Sequence, residues 1–254
     1  MLPVRQFVSR CLRCLQCLRQ RKRRSQFLVL LIATAIALIV GPLTLTLNHH
    51  RQQPVDAIFV LGGSVRREMY LVETLPRGES VPVLISNGSS SPCARALYER
   101  EGRSPVGVYA EHCARSTFDN FTYGIPYFRQ WHSHHVQILS SGDHVTRATW
   151  MGRLLLGAHG IWVDIIDVPE VGVPGNTEAW WKTSLDLVRS LVWVPLSFFV
   201  EPRCDRVDVL SRINLDRACL LGSLHCEHQA QLKPYCKTRQ SAGSKTAIAP
   251  SIQW

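Results

Sequence analysis

Glu111, Arg115, His144 and Arg147 are the side chains of this chain best suited to anion and proton chemistry, and each follows closely on a short apolar run. A planar guanidinium offers paired donors that match phosphate or carboxylate oxygens, which makes Arg115 and Arg147 candidate clamps. Glu111 and His144 are candidates for general base or acid, since each can hold or release a proton. Two turns add backbone donors: "FVLGGS" ends an apolar run in Gly62-Gly63-Ser64, and "LISNGSS" ends another in Ser86-Asn87-Gly88-Ser89. Glycine lets N–H groups approach an anion, and a helix start beyond the turn adds partial positive charge. Thr117, Asn120, Ser140 and Ser141 supply further hydroxyl and amide groups nearby. Taken singly, each feature has an ordinary explanation: a Gly-Gly pair is usually a tight turn, Thr117 a helix cap, Arg115 a solvated charge. Their gathering at one place carries the reading. Neither the G-x-G-x-x-G nor the G-x-x-x-x-G-K-[ST] fingerprint occurs, so dinucleotide and P-loop nucleotide signatures are absent.

The gathering depends on the elements that hold these residues. From Val55 onward, short apolar runs alternate with longer mixed segments. "AIFVLGG", "VPVLISNGSS", "SPVGVYAE", "VQILSSGDH" and "GIWVDIIDVP" read as five strands. Arg66–Leu75, Ala94–Glu101, Thr117–Trp131 and Thr146–Leu156 read as the helices between them, and Asn176–Phe199 as a long final helix. Such alternation predicts an α/β fold: a parallel sheet of about five strands with helices on both faces. In an open parallel sheet, ligands bind beyond the carboxyl ends of the strands. The candidate residues all fall there. After Pro202 the period is lost; Arg206–Leu221 is expected to form one more helix, and the remainder of 202–254 a partly flexible, basic, cysteine-containing tail.

Ahead of this domain, Phe27–Leu47 carries no charge and matches the roughly 20 apolar residues needed to cross a ~30 Å hydrocarbon core. The segment is longer than a signal-peptide core and lacks a small-residue cleavage exit, so a single transmembrane helix over 27–47 is expected rather than a cleaved leader. Residues 1–26 form a basic segment containing Arg19, Arg21, Lys22, Arg23 and Arg24, which places the N-terminus in the cytoplasm, and 48–54 read as a linker. The net charge of +10 is accounted for by this flank and the tail, so no nucleic-acid partner is expected. Nine cysteines divide between the two sides. Cys11, Cys14 and Cys17 lack partners for a metal site. Cys93, Cys113, Cys204, Cys219, Cys226 and Cys236 lie where disulfides are permitted, in a pairing the spacing leaves open; the tail cysteines could pair among themselves. His132, His134 and His135 in "QWHSHH" are read as loop histidines rather than metal ligands, and the sequence names no cofactor.

The blocks "DAIFVLGGS", "LISNGSS", "AEHCARSTFDN" and "ILSSGDHVTRA" are similar, in order and spacing, to those of the SanA/ElyC/YdcF-like domain of unknown function. The resemblance runs from Val55 to about Pro169. It implies a Rossmann-like domain over 55–201, tethered to the inner membrane by one span and facing the periplasm, with a part in envelope integrity and cell-wall or lipid-carrier metabolism. Carried over residue by residue, it gives Gly62, Gly63, Glu111, Arg115, Thr117, Asn120, His144 and Arg147 as the pocket, joined by Ser140 and Ser141. Asn87 stands where the pattern has glycine; Asn tolerates the left-handed backbone that such a turn needs. Two readings follow. One is an envelope-biogenesis factor acting on a lipid-linked or other phosphate-bearing small molecule. The other is a non-catalytic binding or scaffold module at the membrane. The residues alone leave open whether the chain is an enzyme.

Overall fold

The computed structural model describes residues 3–75, 81–169, 180–232 and 235–237. The chain forms two compact units, Met1–Thr46 and Leu47–Trp254. The first consists of most of α1 (Pro3–His50), one continuous helix of 48 residues that takes in both the basic segment and the start of the expected linker. Its stretch Gln26–His50, 25 residues, is long and apolar enough to cross a membrane. The hydroxyls of Thr34, Thr44 and Thr46 donate back to the carbonyls of Leu30, Gly41 and Pro42, so these polar groups are satisfied within the helix, as an apolar surrounding requires.

The second unit is built on a six-stranded sheet. Its elements in chain order are β1 (Ala57–Leu61), α2 (Val65–Thr74), β2 (Val83–Ser86), α3 (Ser91–Arg100), β3 (Val108–Glu111), α4 (Thr117–Gln130), β4 (His135–Ser140), α5 (His144–Leu155), a 3-10 turn (Gly157–His159), β5 (Trp162–Asp167), α6 (Trp180–Leu196), β6 (Val207–Val209) and α7 (Leu215–Leu220). The strand order is β5-β4-β1-β2-β3-β6, with β1 to β5 parallel and β6 antiparallel to β3. The five expected strands and the helices between them all form. The expected final helix is described from Trp180, and the part placed over Asn176–Ala179 lies outside the described residues.

Strand alternation sorts the core into two layers. In β1, Ile58 and Val60 point to the face covered by α2 and α3, and Ala57, Phe59 and Leu61 to the face covered by α4 and α5. Phe59 anchors the second layer, meeting Phe121 and Phe128 edge-on with ring centroids 5.6 and 5.2 Å away. Gly124 lets α4 sit this close, since a Cβ there would fall 3.1 Å from the Phe59 ring. Because α2 and α3 cover one face and α4 and α5 the other, the chain winds outward from β1 in both directions. The strand order therefore reverses between β1 and β4.

The helix expected over Arg206–Leu221 is corrected. Val207–Val209 instead pairs with Tyr109–Glu111 as β6, a 3-10 turn follows at Leu210–Arg212, and only Leu215–Leu220 is α-helical, capped by Asn214. The free edge of β3 offers Val207 and Val209 ladder hydrogen bonds, which outweigh local helix propensity. The segment after Glu201 also packs inward: Leu210, Leu215, Ala230 and Leu232 are buried in the α2/α3 layer. Two disulfides fasten it, Cys93–Cys226 and Cys113–Cys204, and only Cys219–Cys236 joins two cysteines of the tail to each other. Truncating a fully buried leucine costs about 2–5 kcal/mol. Leu210→Ala should lower the unfolding free energy of the full chain by an amount in that range, as measured by chemical unfolding; a change near zero would mean the tail is dispensable to the core.

Candidate functional site

The reversal of strand order leaves a crevice at the carboxyl ends of β1 and β4, the place where open α/β sheets bind ligands. A cleft of about 250 Å³ opens there, bounded by Leu61 at the end of β1 with Gly62 and Gly63 beyond it, Asn87 after β2, Arg115, Ser116, Thr117 and Asn120 after β3, and Ser140 at the end of β4 with His144 and Arg147 beyond it, together with Arg67 from α2. Helices α2, α4 and α5 all begin at this rim, so their unpaired N–H groups and positive dipole ends converge on it.

The glycine turn is fixed by close backbone approach. A Cβ at Gly62 would overlap the carbonyl oxygens of Ser86 and Asn87, and Gly63 has a φ of 108°. Asn87, with φ 47°, takes the left-handed conformation in the neighbouring turn, as expected for asparagine at that position. Ser64 does not line the cleft; it caps α2 by accepting a hydrogen bond from Arg66 N at 3.3 Å. Gly88 also lies behind the rim, pressed against the Glu68 carboxylate.

Two charged residues that sequence reasoning passed over hold these turns together. Arg67 is buried. Its Nη1 donates to Leu61 O at 2.9 Å and Gly62 O at 2.5 Å, and its Nε donates to Ser141 Oγ at 2.9 Å, which ties the end of β1 to the end of β4. Glu68 accepts hydrogen bonds from Ser89 N at 2.6 Å and from Ser89 Oγ, and so holds the β2–α3 turn. Burial raises the Glu68 pKa from 4.5 to about 7, against the lowering effect of the Ser89 hydrogen bonds. The available signal was Arg67 itself: a basic residue in the first turn of a helix opposes the dipole and calls for another role.

Glu111 is fully buried beneath the cleft rather than in its wall. It accepts from Ser86 Oγ, from Cys113 N at 2.8 Å and from Ala114 N at 3.2 Å. The carboxylate therefore shapes the loop that presents Arg115, Ser116 and Thr117. Asn120 adds its amide oxygen 3.0 Å from Ser86 Oγ. Ser116 caps α4 by accepting from Asp119 N at 3.2 Å. On the opposite wall, Arg147 Nη2 donates to Thr117 Oγ1 at 2.7 Å and lies 3.1 Å from His144 Nδ1, and its Nη1 is 3.6 Å from Asp186 Oδ2. That contact assigns His144 Nδ1 as the acceptor and leaves the Nε2 position for the proton. Ser141 is turned toward Arg67, whereas Ser140 lines the cleft with a buried Oγ that has no partner among the described residues.

Of the residues singled out from sequence, the cleft gathers Gly62, Gly63, Asn87, Arg115, Thr117, Asn120, Ser140, His144 and Arg147, while Ser64, Gly88, Glu111 and Ser141 support it from behind. Among the described residues, one group of three could offer converging metal donors: Glu111, Cys113 and Cys204, whose donor atoms lie within 4.8 Å of one another. Its two sulfurs are joined in a disulfide and are not thiolate ligands. His135 lies at the opposite edge of the sheet, bonded to Gln53 O and Asp164, and His134 pairs with Asp56. Comparisons with protein-family models, with curated proteins and with solved structures find no match.

A carboxylate with a raised folded-state pKa binds its proton more tightly in the folded chain. Its contribution to stability is thus greatest below the unfolded value and is lost as pH rises. Between about pH 4.5 and about pH 7, Glu68 should make stability fall with rising pH. Glu68→Gln should flatten that part of the profile when denaturant midpoints are compared across it; an unchanged slope would remove Glu68 as its source.

Proposed function

We propose that the chain is a membrane-anchored factor of cell-envelope biogenesis, with a Rossmann-like domain whose cleft takes the phosphate of a lipid-linked or other phosphate-bearing small molecule. The observation that carries this reading is the convergence of three helix N-termini with Arg67, Arg115 and Arg147 on one crevice at the reversal of strand order. The buried, unpartnered Ser140 hydroxyl adds to it, since such a group costs about 1–3 kcal/mol unless something bonds it. The blocks resembling the SanA/ElyC/YdcF-like domain fall on this rim or directly behind it, which supports that kinship. The apolar part of α1, with Arg19 and Arg21 to Arg24 before it, supports a single inner-membrane span with a cytoplasmic N-terminus. The disulfides after α1 fit an oxidising periplasm.

A second reading, a non-catalytic binding module, is favoured by the placement of Glu111, whose carboxylate is committed to the loop beneath the cleft. On the catalytic reading His144 is the acid–base group, because it lines the cleft. His144→Gln would then abolish turnover of a bound prenyl phosphate or sugar-phosphate ester while leaving binding intact. On the binding reading the wild type shows no turnover.

The test begins with binding. A ligand present at about 100 times its Kd stabilises a folded chain by about 2.7 kcal/mol. Inorganic pyrophosphate or a short prenyl phosphate should raise the Tm of the full chain accordingly. Arg115→Ala should lose that shift with little change in unliganded Tm, because the Arg115 side chain is exposed at the cleft and makes no bond among the described residues. Equal shifts in the two proteins, or none in either, would sink the phosphate reading.

A further inference from the structure

Helix α6 is inside out for the surface of a water-soluble domain. Its inward face sets Asp186, Ser190 and Ser197, the last two buried, beside Trp193 and Val194, which pack on the core, whereas its outward face carries Trp181, Leu185, Val188, Leu191, Val192 and Leu196. Leu185, Val188 and Val192 are each 60 % exposed, and the apolar surface runs on through Phe198 to Phe199, which is 88 % exposed. A helix bordering water shows the reverse pattern, with the apolar stripe turned to the core. The polar inward face has its own partners: Asp186 lies 3.6 Å from Arg147 Nη1, and Ser190 Oγ donates to Asp186 O at 2.7 Å. Nothing local therefore forces the outward face to be apolar.

We propose that this outward face of α6 rests on a lipid surface, giving the domain a second membrane contact; the inference depends on the reading that α1 spans a membrane. Continuity with the point of chain entry identifies lipid as the occupant. The last turn of α6 ends on the 3-10 turn Gly157–His159: His159 Nε2 and Ser197 Oγ share a hydrogen bond of 2.9 Å, and the rings of His159 and Phe198 are 4.6 Å apart. The end of α1 meets the same corner, where His50 Nδ1 lies 2.7 Å from Gly160 O and Leu47 packs beside Gly157. The exposed Phe198–Val200 segment thus lies at the edge of the domain through which the chain emerges from its apolar helix. The charge pattern fits as well. Lys182 is exposed beside the outward face, Arg189 lies over the Phe118 ring and 3.6 Å from Asp119 Oδ1, and the two acidic residues from Trp181 to Glu201, Asp186 and Glu201, are paired with Arg147 and Arg129, so anionic lipid would meet no unpaired carboxylate along this helix.

The geometry has a consequence for the cleft. The cleft opens at the carboxyl edge of the sheet, whereas the chain enters at the other edge. Helix α6, 17 residues or roughly 25 Å long, joins the two, with Asp186 at Arg147 near its start and Ser197 at His159 at its end. A domain resting on α6 brings the Arg147 side of the cleft to the headgroups.

The test places a photo-crosslinking benzoylphenylalanine at single positions of the full chain in nanodiscs containing anionic phospholipid, with adducts read by mass. Probes replace Ile36 in the apolar part of α1, Val192 on α6, Phe199 just beyond its end, and Asp143 at the carboxyl edge of the sheet. Lipid adducts are expected at Ile36, Val192 and Phe199 and none at Asp143. Lipid adducts at Ile36, with Val192 and Phe199 giving no adduct or a crosslinked second copy, would overturn the α6 contact and leave the membrane span standing. Loss of the Ile36 adduct would overturn the span and the α6 contact with it. A second readout needs no probe: brominated phospholipid should quench the fluorescence of the unmodified chain, and Trp181→Phe should lose part of that quenching. Identical quenching in the two proteins would count against the contact even if a probe variant failed to fold.

Discussion

A buried guanidinium sits where this fold would otherwise come apart. The reversal of strand order between β1 and β4 sends α2 to one face of the sheet and α5 to the other, and among the described residues no helix covers the gap at their starts. Arg67 fills it, bonding two carbonyls at the end of β1 and the Ser141 hydroxyl at the end of β4. A buried cation is tolerated only when its donors are satisfied, so the turns that supply those acceptors are held in place. Gly62 and Gly63, the Asn87 turn locked by Glu68 and the loop shaped by Glu111 all close around the same point. The cleft is thus a product of the sheet's winding, and the one cation that stabilises the gap, Arg67, is also part of its positive lining.

The sheet was legible because its strands obey simple patterning. Ala57–Leu61 and His135–Ser140 alternate between faces and end in small polar turns, and α2 and α4 begin at the serine caps Ser64 and Ser116. Asn87 could be placed in the left-handed region from residue type alone. The supporting charges were not legible in the same way. Arg67 and Glu68 stand in a run of polar residues that reads as a solvated helix face, and only tertiary packing, on the ends of β1 and β4 for Arg67 and on the β2–α3 turn for Glu68, buries them. Glu111 was recognisable as important; its role beneath the cleft depends on the Cys113 and Ala114 amides turning back toward it, which is a matter of loop geometry.

The region after Glu201 shows how long-range pairing overrides local pattern. Val207–Val209 sits in the stretch expected to be helical, yet the open edge of β3 recruits it as a strand, and Leu210 and Leu215 complete the core layer over α2 and α3. Disulfide connectivity could not be read from spacing, since Cys93–Cys226 and Cys113–Cys204 join cysteines 133 and 91 positions apart that only the tertiary fold brings together. In α6 the apolar content was plain from sequence, but which face it occupied was not. Its direction follows from the Arg147–Asp186 and His159–Ser197 contacts, which turn the polar residues inward.

The central claim is that the crevice at the strand-order reversal binds phosphate. The most direct measurement is the anomalous scattering of crystals of the full chain soaked in tungstate, an electron-dense mimic of a phosphoryl group. The account predicts a peak inside the cleft, between the Gly62-Gly63 turn, the start of α4 at Thr117 and Arg147, displaced by excess pyrophosphate. A cleft without tungstate in crystals that bind it elsewhere on the basic surface would contradict the account.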